Sequence, residues 1–563
     1  MIYHCEDHTC NYWDEGEKLP ERCPQCGRKL LRANEADMTG DDWTALGNTL
    51  WDAEASDKKR MVDCFRKAAY LGSAWGVCNL GICMEQGNGV EADPVQAFWL
   101  YQQAVEMGSL NAVCCLGVCY QYGIGTAPDA EKAAELYCKA AEYGSPRGQM
   151  LLAHAFHDGI GVEADAAEAA YWVRAAAYQR YGEGMHRLGV CYAYGDGVEQ
   201  NWEHAVHWFR EAAESGVSVA MTDLGYCYEK GCGVEQSWEQ AFSWYRRSAE
   251  CGNPVSMSNL GLCYQMGYGV EQNWQEAIKW YEQGAQCGDL QSMHNLACCY
   301  ERGEGVEQNE ERALYWYRRG AEAGSDYCMY CLGWNYSNGE GVEQNMTEAI
   351  RWYTAAAEGG NADAMHDLGW LYDHGEGVEQ DMKKAICWYE RAAEQNHPAA
   401  MNSLGECYAM GRGVPRDLET AMEWYRRAAE LGEAMADYNM GWHLEQAGKL
   451  SEAYAHYRKA ADGNDDSAWW ALGRFYENGV VVAQDGKEAR RCYETGEKLG
   501  SVKCKMRLAR CKLLGIGGRR AKKAGLDLCR QALELAKESS EKEDYGYEAE
   551  MNLLRRTIAE NES

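Results

Sequence analysis

Between Ala362 and Pro398 the small and apolar residues fall into two stripes separated by a polar break. In the first half, Ala364, Met365, Leu368, Gly369 and Tyr372 keep the i, i+3, i+4, i+7 spacing of a helix with one buried face. In the second half, Ala385, Trp388, Tyr389, Ala392 and Ala393 repeat that pattern. Gly375-Glu376-Gly377-Val378 predicts the break, because paired glycines supply the positive φ that a helix C-cap and a tight turn require. Asn396-His397-Pro398 ends the second helix and launches the next element. The stretch is a helix hairpin. Gly369 and the alanines let its helices approach, while Trp388 and Tyr389 supply apolar area to join one hairpin to another.

The hairpin recurs. Its Leu-Gly pair returns at Leu188-Gly189, Leu224-Gly225, Leu260-Gly261, Leu332-Gly333, Leu368-Gly369 and Leu404-Gly405, on a period of 36 residues, with Leu296-Ala297 in the remaining slot. A fixed period of this length signals a repeat array. One hairpin cannot bury both of its faces, so stacking must supply the core. The expected fold is an all-α solenoid. A degenerate first copy lies at Leu46-Gly47, followed by Leu80-Gly81, Leu116-Gly117 and Leu152-Ala153. Past Leu404 the array drifts through Met440-Gly441, a shortened loop at Gly448-Lys449-Leu450, Leu472-Gly473 and Leu508-Ala509. The solenoid is placed at 43–515. Residues 516–563 hold polar, charged helices that suit a terminal cap.

The run G-x-G-V-E-Q-N…A…W-Y-R-x-A-A-E-x-G…A-M…L-G-x-C-Y resembles the Sel-1-like repeat family, relatives of the tetratricopeptide repeat with a longer loop. The resemblance implies a right-handed superhelix that acts as a non-enzymatic scaffold or adaptor, with a protein or peptide held on its inner face.

Across 563 residues the net charge is −32, which disfavours nucleic acid or an anionic membrane, since phosphate binding needs clustered Lys and Arg. It suits a basic or cationic ligand. Met1 to Cys5 carry neither a basic n-region nor an apolar h-region, so no signal peptide is expected, and no apolar run has the length of a membrane span. Among the 27 cysteines, Cys83, Cys119, Cys191, Cys227, Cys263, Cys299, Cys407 and Cys511 stand three residues after the Leu of their own repeat. Equivalent points of stacked hairpins lie roughly 10 Å apart, whereas a disulfide needs Cα atoms within about 7 Å. These cysteines read as small core residues, and the odd total favours a reducing cytoplasm.

Residues 1–31 differ from the rest. Cys23-Pro24-Gln25-Cys26-Gly27 is a zinc knuckle, and Cys5 with Cys10 supplies a second pair, a C-x4-C…C-x2-C set for Zn2+. So short a segment needs a metal as its core. From Trp13-Asp14-Glu15-Gly16-Glu17 to Pro20 and the knuckle it resembles a rubredoxin-like zinc ribbon. The four-residue gap departs from that family's habit, leaves His8 as a rival to Cys10, and disfavours iron. Ten acids against five bases in residues 1–43 disfavour nucleic acid here too. Residues 32–42 form a polar linker.

Loops such as Gly195-Asp196-Gly197 superficially resemble a phosphate cradle, but no strand precedes them and they recur in every repeat. No nucleophile–base motif or recurring histidine set points to catalysis. By analogy with tetratricopeptide helices, the inner face takes positions two before, two after, and five and six after the repeat Leu. Tyr226, Tyr330, Trp334, His366, Trp370, Asp373, His374, Tyr438 and Trp442 fall there and form a candidate partner-binding groove. The bland alternative is that these aromatics are extended core. The rival function is a redox or hydrolytic protein using iron in the ribbon or an unrecognised solenoid site.

Overall fold

The computed structural model describes residues 2–5, 13–15, 30–33, 35–51, 55–542 and 548–562. The chain divides into two compact units, Met1–Ser292 and Met293–Ser563. The first opens with a three-stranded antiparallel sheet in the order β2-β1-β3, built from β1 (Ile2–Cys5), β2 (Trp13–Glu15) and β3 (Leu30–Ala33). Helix hairpins follow from Gly40. The second unit continues the same hairpins and ends with helices Lys522–Lys542 and Glu548–Glu562. Every helix from Ala74–Gln86 to Val502–Leu514 is 13 residues long. In each hairpin the first helix is called A and the second B.

Local chemistry fixes the boundaries. The Asn361 side chain accepts from the Ala364 amide at 2.8 Å and caps helix A, Ala362–His374. Gly375 ends that helix with φ 71°, and Gly377 turns the chain with φ 70°. Asp381 then accepts the Lys383 and Lys384 amides at 3.1 Å and starts helix B, Met382–Glu394. His397 caps the next helix through Nδ1, which accepts the Ala400 amide at 3.1 Å, with Pro398 in the first turn.

Inside each hairpin, the glycine of the Leu-Gly pair lies against an aromatic ring from helix B. A Cβ on Gly369 would lie 2.7 Å from the Tyr389 ring, on Gly81 2.7 Å from Tyr101, and on Gly225 2.6 Å from Tyr245. Tyr389 is 1 % exposed. The phenol then reaches back to helix A: Tyr101 donates to Glu85 at 2.6 Å, Tyr245 to Glu229 at 2.8 Å and Tyr281 to Gln265 at 2.7 Å. The chain contains its own substitutions at this contact. Where Ala153 replaces glycine, the facing residue shrinks to Val173, and both stay buried. Where Ala297 replaces it and Tyr317 remains, the phenol's bond to Glu301 lengthens to 3.2 Å. Glycine gives the ring its closest seat, and alanine is accommodated where the ring is lost or its hydroxyl bond is longer.

The second loop glycine joins one hairpin to the one before it. A Cβ on Gly197 would overlap the Ala166 carbonyl, and one on Gly377 would lie 2.8 Å from the Met346 Cβ. The Gly-x-Gly loops are inter-repeat joints, which explains their recurrence without any phosphate. The cysteine column at Cys83, Cys119, Cys191, Cys227, Cys263, Cys299, Cys407 and Cys511 is buried, as its spacing predicts. At the end of the chain, helix Lys522–Lys542 buries Cys529, Leu533 and Ala536 with Met506 and Leu513 of the preceding helix. It therefore completes the last hairpin and is amphipathic as well as charged. Among the described residues, no helix is long and apolar enough to cross a membrane.

The ring contact predicts a coupled pair of substitutions. Gly189→Ala, facing Phe209, should cost about 1–3 kcal/mol by overpacking. Adding Phe209→Val should make the double variant at least about 1 kcal/mol more stable than the sum of the single losses, read from urea midpoints. Strict additivity would show that the glycine serves some other purpose.

Candidate functional site

The two columns predicted to line a groove behave differently. Two residues after the repeat Leu, side chains reach solvent: Tyr226 of the first unit is 46 % exposed, and Trp334, Trp370 and Trp442 of the second are 46 %, 39 % and 38 % exposed. The three tryptophans are exposed. Two residues before the Leu, the rings are half-buried on the aromatic of their own hairpin: Tyr330 on Tyr353, His366 on Tyr389 and Tyr438 on Tyr457, with centroids 5.6–5.8 Å apart. Burial pushes the Tyr438 phenol up to about 12, so it stays neutral.

This earlier column also pins repeats together. Tyr330 donates to Asp367 at 3.1 Å, Asn439 donates to Asn402 at 3.0 Å, and in the first unit His186 pairs with Asp223 at 2.7 Å. In all three the partners are 37 residues apart, one repeat plus one position. His366 stacks on His397 at 5.1 Å, with its Nδ1 3.1 Å from Asp367. Because His397 Nδ1 accepts a backbone amide, its proton is on Nε2, 3.1 Å from Asp363. His366 and Tyr330 are thus occupied with framework contacts. The open face belongs to the tryptophans.

In the second unit, Trp370, His374, Glu376, Glu406, Arg412 and Glu433 surround a concavity of roughly 1200 Å³. Helix Ala362–His374 contributes the first pair, helix Pro398–Met410 contributes Glu406, the loops after these two helices contribute Glu376 and Arg412, and Glu433 is the N-cap of helix Ala434–Gln446. The His374 ring stacks on Trp370 at 4.2 Å, and its Nδ1 lies 3.0 Å from the Trp370 carbonyl oxygen. A carbonyl only accepts, so Nδ1 carries hydrogen and Nε2 of the neutral ring is left as an acceptor. Asp373 is 3 % exposed, and its carboxylate accepts from Arg412 at 3.0 Å. Arg412 also approaches Glu406 at 3.8 Å, and Glu406 accepts the Asn402 and Asn439 amides at 3.3 and 3.1 Å. Glu433 accepts the Met435 amide at 3.3 Å as the cap of helix Ala434–Gln446.

Four carboxylates and one guanidinium stand here, and the guanidinium pairs with Asp373 and approaches Glu406, while its buried Nε has no hydrogen-bond partner. On the open side the wall offers acceptors: Glu376, the second oxygen of Glu433 and His374 Nε2. Sequence reasoning found Trp370, Asp373 and His374 but missed Glu376, Arg412 and Glu433. The signal was present. Arg412 is the lone base in the middle position of the Gly-x-Gly loops, where Asp196, Glu304, Glu340 and Glu376 stand elsewhere.

Of the proposed metal ligands, Cys5 ends β1, while Cys10, Cys23, Cys26 and the rival His8 lie outside the described residues. Among the described residues, no three His, Cys, Asp or Glu side chains form a group that could hold a metal ion.

Removing the Arg412 cation should strand a buried carboxylate. Arg412→Met is expected to cost the second unit about 2 kcal/mol, and Asp373→Leu in the same chain to recover most of it, in urea unfolding. A loss below about 0.5 kcal/mol for Arg412→Met would place this pair among inconsequential surface ion pairs.

The model of the Sel1 repeat family matches twelve times, at residues 76–109, 112–145, 146–181, 182–217, 218–253, 254–289, 290–325, 326–361, 362–397, 398–433, 434–465 and 468–501. Among solved structures, the chain is similar to c5321, a protective antigen of uropathogenic Escherichia coli displaying an SLR fold. Identity is 28 % over 76 % of this chain and 94 % of that one, with a TM-score of 0.51. It is also similar to a Sel1 repeat protein from Oxalobacter formigenes, 32 % identical over 44 % of this chain and 99 % of that one, with a TM-score of 0.41. No curated protein matches the sequence. With matches running almost unbroken from residue 76 to residue 501, the chain belongs to the Sel1 repeat family.

Proposed function

We propose that this protein is a non-enzymatic scaffold that holds a protein or peptide segment along the A-helix face of its second unit, where Trp334, Trp370 and Trp442 are the anchors. The observation that carries the reading is their exposure at one register of the repeat. Each B helix of these hairpins already holds its own framework aromatic in Tyr353, Tyr389 or Tyr457, so packing does not require the tryptophans. Large rigid rings bury much area on binding for little lost side-chain entropy, which makes them common anchors. A Sel1 solenoid is a fold typical of protein-interaction scaffolds.

The wall beside Trp370 favours a cationic segment. Glu376, Glu433 and His374 Nε2 offer acceptors, and an arginine supplies five donors on a plane that also stacks on indole. The net charge of −32 steers such a ligand from a distance, within the range that salt permits. The N-terminal segment serves in this reading as a structural end module in which Cys5, Cys10, Cys23 and Cys26 hold zinc. The metal would supply the fixed crosslink that so short a segment cannot obtain from apolar burial.

Affinity capture from the native host's lysate, comparing wild type with Trp334→Ala/Trp370→Ala/Trp442→Ala, tests the placement. Retained proteins should be lost at least about 30-fold with the triple variant, and their binding to wild type should weaken as salt rises. Equal recovery by both chains, with helical circular dichroism unchanged, rejects this face. For the end module, elemental analysis should find about one zinc per chain. Chelation should leave the helical signal nearly intact. A coloured iron centre, or broad helix loss on chelation, would overturn the assignment.

A further inference from the structure

Four consecutive A helices of the second unit carry Trp334, Trp370, Glu406 and Trp442 two residues after the Leu or Met of their repeat. Each neighbouring pair of these helices is in direct contact. Tyr330 donates to Asp367 at 3.1 Å between the first two, and His366 stacks on the His397 cap at 5.1 Å between the next two. Between the last two, Asn439 donates to Asn402 at 3.0 Å. Packed helices lie about 8–10 Å apart, axis to axis, so the row advances by about that distance per repeat. The row is bounded at both ends. One repeat earlier the position holds Cys298, half-buried with its sulfur 3.3 Å from the Tyr317 hydroxyl. One repeat later it holds Arg474, paired with Glu445 at 2.8 Å.

A ligand that touches every member of such a row must present one face once per step. A β-strand fails, because residues three apart, which span about 10 Å, point to opposite faces. A polyproline II helix has three residues per turn and rises about 3.1 Å per residue, so positions i, i+3, i+6 and i+9 return to one face about every 9.3 Å. An α-helix keeps phase only at seven residues per step, about 10.5 Å, and needs about 22 residues for the same four contacts. Proline rings pack on exposed indoles, and a preformed polyproline II segment loses little entropy on binding. Charge selects the residue at i+6. Glu406 is half-buried and accepts from Asn402 and Asn439, while Glu376, Glu433 and His374 Nε2 offer acceptors around the same concavity. An arginine at that step brings five donors to them.

Building on the scaffold reading above, we propose that Trp334, Trp370, Glu406 and Trp442 form a four-step site for a polyproline II segment of a partner protein, with proline at the three indole steps and arginine at the glutamate step. Glu406 is not central in the row, so the arginine marks the direction of the bound chain. A segment running from Trp334 to Trp442 reads Pro-x-x-Pro-x-x-Arg-x-x-Pro, and one running the other way reads Pro-x-x-Arg-x-x-Pro-x-x-Pro. The selectivity lies in spacing: one residue more or fewer between steps turns the next side chain away from its indole by about a third of a turn.

The test titrates the full chain into fluorescein-labelled peptides of these two sequences, with alanine at x, and reads anisotropy. One of the two should bind, and inserting a single alanine next to its arginine should weaken binding about tenfold or more. Trp334→Ala, Trp370→Ala and Trp442→Ala should each cost a similar factor with helical circular dichroism unchanged. Citrulline in place of the arginine should weaken binding and flatten its dependence on salt. Binding indifferent to the inserted alanine would overturn the proposal, as would tighter binding by an α-helical peptide carrying the same side chains at seven-residue spacing. Failure of both sequences to bind would overturn it too, and captured partners then separate the two claims. If their retention still depends on the three tryptophans, the face stands and its ligand is not polyproline II; if it does not, the face is rejected as well.

Discussion

The contact between one glycine and one aromatic ring sets the geometry of the whole array. Gly81, Gly117, Gly225, Gly261, Gly333, Gly369 and Gly405 each receive the ring of a tyrosine twenty residues later, at separations that leave no space for a methyl group. The ring fills what would otherwise be a void between helices, and its hydroxyl reaches an acceptor on helix A in most hairpins. Buried phenols carry a donor that must be satisfied, so this single residue serves packing and polar pairing together. Some exceptions follow the same rule, while Ala297 keeps Tyr317 with a longer hydroxyl bond. Ala153 faces Val173, and Gly441 keeps its tyrosine, Tyr457, although the loop between them is shorter.

A hairpin closed in this way is stable on its inside and free on its A-helix surface. The side chains two after the Leu vary most, from Val190 through Leu262 to Trp370, and the tryptophans among them are exposed. The neighbouring column is less free, since its members bond to the next repeat. The difference explains why three tryptophans share one register while the histidine and tyrosine positions beside them carry polar pins. Around Trp370 the array departs from its own habit in a concerted manner. Asp373 takes the place that Glu85, Glu229 and Glu477 occupy elsewhere, yet it pairs with Arg412 of the next loop and not with the ring hydroxyl. Arg412 in turn orders Glu406, which leaves an acceptor-rich wall beside an exposed indole.

Much of the fold was legible in the sequence because the determinants are local and repeat in phase. Leu-Gly pairs, paired loop glycines and alternating caps such as Asn361 and Asp381 each encode a boundary, and 36-residue repetition removes ambiguity. The ring contact was not read, since Trp388 and Tyr389 look equivalent as apolar neighbours. Only the phase of the helix decides that Tyr389 is buried and Trp388 half-buried. Within the candidate site, exposure of Trp334, Trp370 and Trp442 follows from register alone. The Asp373–Arg412 pair does not, because it spans 39 residues and depends on side-chain reach across a loop. For the same reason Asp373 reads as an open acid in the sequence and is a buried one in the structure.

The most direct measurement of the central claim is hydrogen–deuterium exchange of the wild-type chain with and without a captured partner. Protection confined to helices Asp326–Asn338, Ala362–His374 and Ala434–Gln446 and to the loop at Glu376 is the predicted result. Protection of the B helices instead, with these A helices unchanged, would contradict the account and move the binding surface to the opposite side of the hairpins.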